Sequence, residues 1–135
     1  LAPLEIVNNG NTDKTVSVDY TYGGDIENNG SGGAGDDTLD TGDVAELFQF
    51  SIGGARISPD RTDPGVSGDS GTNTNQATVS AGTSEVVDFS INYTSGIKND
   101  IAQAASATGS YDFANSAFAA VELITEVSFG EVDGT

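Results

Sequence analysis

Asp36, Asp37, Asp40 and Asp43 place four carboxylates within eight residues of a Gly-rich stretch. Ca²⁺ takes roughly six to eight hard oxygen ligands, so these four are the candidate metal ligands and Ca²⁺ is the one cofactor the chain would suit. A solvated acidic loop is the alternative reading of the same residues. A second loop carries Asp60, Asp63 and Asp69 beside Pro59 and Pro64, without a recognisable ligand spacing. Two triplets, Asn29-Gly30-Ser31 and Asn92-Tyr93-Thr94, satisfy the N-x-[ST] acceptor pattern for N-glycosylation. Catalysis finds less to work with. The chain has no Cys and no His, which removes thiol and imidazole nucleophile–base pairs and the commonest transition-metal ligands. Two carboxylates would suffice for glycoside hydrolysis, but nothing singles out a pair among 21 acidic residues, and no Trp is present to stack a sugar. No catalytic residue is assigned, and the protein is expected not to be an enzyme.

The elements that must hold these residues belong to a chain of 135 residues, a length that suits one domain spanning 1–135. Acidic residues number 21 against 4 basic ones, giving a formal charge of −17. Such a chain has little to offer a phosphate backbone or an anionic bilayer, so nucleic acid and anionic membrane surfaces are excluded as partners. Self-repulsion at that charge falls steeply in concentrated salt, where the Debye length drops to about 3 Å at 1 M. Acid excess with only Lys14, Lys98, Arg56 and Arg61 as cations is the look of a halophilic protein. The sequence begins Leu1-Ala2-Pro3 without Met, which suggests removal of a secretory signal and a secreted, cell-surface location. No run of 18 apolar residues occurs.

Period-two alternation is the dominant pattern. Leu4 and Ile6 alternate with Glu5 ahead of the turn Asn8-Asn9-Gly10, and Val16, Val18, Tyr20 and Tyr22 then alternate with Ser17, Asp19 and Thr21. Further strands are predicted at Phe48, Phe50 and Ile52, at Val87, Phe89, Ile91 and Tyr93, and from Val121 to Phe129. The aromatic residues on these runs are read as core on inward faces. Long acidic loops are expected near 30–43 and 58–78, and one short helix at Asn99–Ala107, capped by Asn99 or Asp100. Five to eight short strands with polar connections make an all-β, antiparallel β-sandwich of jelly-roll or Ig-like type the expected fold.

Residues 32–40, Gly-Gly-Ala-Gly-Asp-Asp-Thr-Leu-Asp, resemble the calcium-binding nonapeptide of RTX proteins. A β-roll needs neighbouring copies to close its core and its metal cages, and the flanking segments do not repeat the pattern, so a roll is rejected. A broader resemblance rests on two stretches. Leu4-Glu5-Ile6-Val7-Asn8-Asn9-Gly10-Asn11, followed by Lys14-Thr15-Val16-Ser17-Val18, looks like the strand, turn and valine-strand opening of microbial surface β-sandwiches. Val79 to Ile91 resembles their "L-x-P/A-G-x-S-x-x-V-x-F-x-I" hairpin. The chain is thereby similar to the TasA/camelysin-like group of secreted β-sandwich fibre subunits. That resemblance implies a structural subunit of an extracellular filament, pilus or matrix, with copies of itself as partners and assembly by donor-strand complementation. The implied donor is Leu1–Ile6, with Leu1, Leu4 and Ile6 as plugs, or else Leu123–Phe129; alternatively Leu4 and Ile6 form the first strand of their own sheet. The second functional expectation is an Ig-like module of a larger adhesin or surface-layer protein, stiffened by calcium.

Overall fold

A computed structural model describes residues 3–23, 39–61, 63, 73–107 and 123–132. In chain order the elements are β1 (Leu4–Val7), β2 (Lys14–Tyr22), α1 (Thr41–Leu47), β3 (Phe48–Ile52), β4 (Ala55–Arg56), β5 (Ala77–Val79), β6 (Ser84–Ile91), α2 (Ser95–Ala107) and β7 (Ile124–Glu131). The protein is mostly β. The strands form two antiparallel sheets, ordered β1-β6-β3-β4 and β5-β2-β7.

β2 is the centre of the smaller sheet, and its alternation sets the core. Val16, Val18, Tyr20 and Tyr22 are all buried on one face, while β7 pairs along one edge from Val16↔Glu131 to Tyr22↔Ile124 and β5 along the other from Lys14↔Val79. In the larger sheet, Ile52 faces Val87 across β3 and β6, and both are buried. One apolar cluster joins these residues to Val79, Leu39, Val44 and Ile57, so both sheets contribute to the same core. The chain passes between sheets at β1 to β2, β2 to β3, β4 to β5, β5 to β6 and β6 to β7, so that only β3 and β4 are consecutive in one sheet. Contacts between residues of β2, β3 and β7 stitch the sheets directly. The Tyr20 hydroxyl donates to the Phe48 carbonyl at 2.8 Å, and the Phe50 ring lies 5.3 Å from Phe129, edge to face.

β3 and β4 join through Gly53 and Gly54, both with positive φ (57° and 83°), the backbone that a two-residue hairpin of matching twist requires. Five expected strands are present, with bounds shifted by a few residues. The helices differ from expectation. Among the described residues there are two rather than one at most, because the end of the expected loop near 30–43 turns helical at Thr41. α2 begins at Ser95 instead of Asn99, since the Thr94 hydroxyl accepts from the Ile97 N–H at 3.3 Å and starts the helix four residues early. β5 likewise begins inside the expected loop near 58–78, at Ala77, where the chain pairs with an edge of β2.

Candidate functional site

Three places bear on function, and the acidic one comes first. Asp40 caps α1: its Oδ1 accepts from the Asp43 N–H at 2.9 Å, and Asp43 Oδ2 accepts from the Asp40 N–H at 3.2 Å. This reciprocal capping box satisfies two donors that the helix start would otherwise leave bare. Asp43 is fully buried, and its Oδ1 accepts from Arg61 Nη2 at 2.6 Å. Burial raises the Asp43 pKa above the ordinary carboxylate value, and the Arg61 hydrogen bond opposes that rise. The second Asp40 oxygen, Oδ2, is buried and accepts no hydrogen bond among the described residues. Of the four aspartates expected to gather round Ca²⁺, Asp36 and Asp37 lie outside the described residues, while Asp40 and Asp43 are brought together as a helix cap. Among the described residues no three carboxylates converge to hold a metal.

Neighbouring polar groups tie this cap to the rest of the fold. Arg56 donates to the Ala45 carbonyl at 2.7 Å, to Glu46 Oε1 at 3.1 Å, to the Ser58 carbonyl at 3.2 Å and to the Pro59 carbonyl. The planar fork thus joins the last turn of α1 to the chain after β4. Asp63, buried, accepts from the Asp60 N–H at 2.8 Å and from the Thr74 N–H and hydroxyl at 3.1 and 2.9 Å. Asn73 Nδ2 donates to the Val18 and Ile57 carbonyls, each at 2.7 Å. Asp60 and Asp63 of the second acidic loop therefore serve as internal acceptors, whereas Asp69 lies outside the described residues.

The second place is apolar. Phe50 stands 4.9 Å from Phe89 on its own sheet and 5.3 Å from Phe129 on the other, and Phe48 stacks on Phe89 at 6.3 Å. The register puts Phe48 opposite Ile91 and Val127 opposite Tyr20, so Ile91, Phe89, Val127 and Phe129 share the inward faces. They are nevertheless exposed: Phe89 53%, Ile91 60%, Val127 39% and Phe129 41%. The expectation that the aromatics Phe89, Tyr93 and Phe129 are core is corrected by their exposure, since at this end the strand faces meet no covering layer among the described residues. Phe113 lies outside the described residues. Two strand edges flank the seam. β1 pairs with β6 only from Ser84 to Val87, which leaves the Asp88–Ile91 edge without a described partner, and β7 is the outer strand of its sheet among the described residues.

Leu4 and Ile6 sit in β1, paired with Val87 and Glu85 of their own chain; Leu4 is half exposed and Ile6 packs against the core. Leu1 lies outside the described residues. The other donor expectation, Leu123–Phe129, falls mostly on β7, which is built into the smaller sheet by seven register pairs with β2.

The third place is the turn between β6 and α2. Asn92 is exposed, its N–H donates to the Leu47 carbonyl at 2.8 Å, and the Thr94 N–H donates back to the Asn92 carbonyl at 3.2 Å. Beside it lies a cavity of about 240 Å³ lined by Glu46, Arg61, Asn92, Thr94 and Ile97. Asn29, the other sequon asparagine, lies outside the described residues.

Sequence reasoning missed both arginines and the open seam. The arginines carried a signal in their scarcity, because a chain with four cations places each one where it counts; the seam carried none. No family model matches this chain, and no curated protein or solved structure matches it.

Proposed function

We propose that this chain is a non-enzymatic structural subunit of an extracellular filament, pilus or matrix, a β-sandwich of jelly-roll or Ig-like type akin to the TasA/camelysin group. Its partners are copies of itself, joined by strand exchange. The observation that supports this reading best is the apolar seam of Phe89, Ile91, Val127 and Phe129 lying between two strand edges. Exposed apolar surface beside an unpaired edge is what an added strand needs, because the ladder supplies main-chain hydrogen bonds and alternate side chains supply the plugs. β1 is the donor that fits. It is an edge strand of four residues presenting Leu4 and Ile6 on one face, and its ladder ends at Pro3, which has no N–H to give. Exchange of β1 between neighbours frees the whole β6 edge of each subunit for the next.

Subunits of charge −17 repel one another, so assembly is expected to need salt. Negative-stain microscopy and light scattering of the purified chain, at about 0.1 M and about 2 M salt, test the reading. Elongated polymers at high salt that disappear on deletion of Leu1–Ile6 are the expected result. A monomer at every salt concentration overturns it.

A further inference from the structure

We propose that Asn92 is an N-linked glycan acceptor, a proposal that rests on the extracellular reading above because glycan transfer takes place on translocated protein. The triplet Asn92-Tyr93-Thr94 supplies the motif, and three structural observations select it. First, three other asparagine amides of the fold are consumed. Asn8 Nδ2 donates to the Thr12 and Val79 carbonyls, Asn73 Nδ2 to those of Val18 and Ile57, and Asn75 Nδ2 to the Ser58 carbonyl and the Asp60 carboxylate. The Asn92 side chain is exposed and makes no such bond among the described residues. Second, the triplet occupies an irregular turn one residue beyond β6, so the acceptor is not locked in a ladder, and Thr94 keeps a hydroxyl hydrogen to donate while its oxygen caps α2. Third, the cavity beside Asn92 has the size of a single sugar ring, with Glu46 and Arg61 on its wall to meet sugar hydroxyls and Ile97 to meet the ring's apolar face.

The reaction is a group transfer from a polyprenyl-diphosphate-linked oligosaccharide. The Asn92 amide nitrogen forms a C–N bond to the anomeric carbon, the C–O bond to the diphosphate breaks, the amide loses one proton, and the lipid diphosphate departs. No electrons change hands.

The test is glycopeptide mass spectrometry on protein isolated from cultures of its source cells, divided into intracellular and extracellular fractions and cut with an acid-directed protease. The expected result is a peptide spanning Asn92 that carries at least one sugar, lost in Asn92→Gln and kept in Thr94→Ser, which preserves both motif and cap. Thr94→Ala is expected to lose the sugar and also to lower the melting temperature, whereas Asn92→Gln leaves it unchanged. An unmodified Asn92 peptide from extracellular protein overturns the proposal and leaves the reading it rests on standing. An unmodified peptide in protein confined to the cell overturns both.

Discussion

Asp43 and Arg61 show how a strongly acidic chain keeps a carboxylate in its interior. The guanidinium offsets part of what burial takes away, yet the Asp43 pKa still lies above its unfolded value. A raised native pKa means that the folded state holds the proton more tightly. Stability from this group is therefore greatest below the unfolded carboxylate pKa and falls as pH rises through the raised native value. Asp19 acts in the same direction, raised by burial and then by Asp63. Arg61→Ala leaves Asp43 buried without its cation and is expected to cost about 3 kcal/mol at pH 7. The loss should shrink as pH falls and Asp43 protonates; urea denaturation of both proteins at a series of pH values reads the difference. A penalty independent of pH would assign the effect to lost packing of the Arg61 stem instead.

At the scale of elements, the sequence pattern located strands better than it located their company. β2 was legible because Val16 to Tyr22 alternate without interruption, and the buried face is the one that alternation indicates. α1 was hidden because Asp40 and Asp43 have two physical meanings. Their spacing of three suits a capping box as well as it suits a carboxylate cluster, and the apolar residues behind them are few. The open seam was illegible for a different reason. Alternation states which way Phe89 and Ile91 point, but it carries nothing about whether a further strand reaches far enough to cover them, and the pairing of β1 with β6 stops at Val87. Turn chemistry gives a clean check on one element. Gly54 sits at φ +83° with open space where a Cβ would go, so Gly54→Ala meets backbone strain and no clash. It is expected to lower stability by about 1 kcal/mol, measured by thermal unfolding, with the β3–β4 pairing the part that loosens.

For the molecule as a whole, the charge of −17 acts on every state that concentrates it. Folding gathers the charges and so does assembly, hence salt should favour both. The melting temperature is expected to rise between about 0.1 M and 2 M sodium chloride, most steeply at the low end where the Debye length changes fastest. Scanning calorimetry across that range, with sucrose matched for viscosity, checks it; a flat response would show that the acids are spaced too widely to repel.

The placement of the four cations has one further effect. Proteases of trypsin specificity cut only after Lys or Arg, and this chain gives them four bonds. Lys14 is held in the β2 ladder and bridged to Glu131, Arg56 lies in β4 with its fork engaged, Lys98 is inside α2, and Arg61 is paired with the buried Asp43. The Gly- and Ser-rich segments of the sequence, 24–38 and 64–72, contain neither residue. Digestion by this class must wait for a cation-bearing element to open, so the folded protein carries resistance to tryptic attack in the very scarcity of its positive charge.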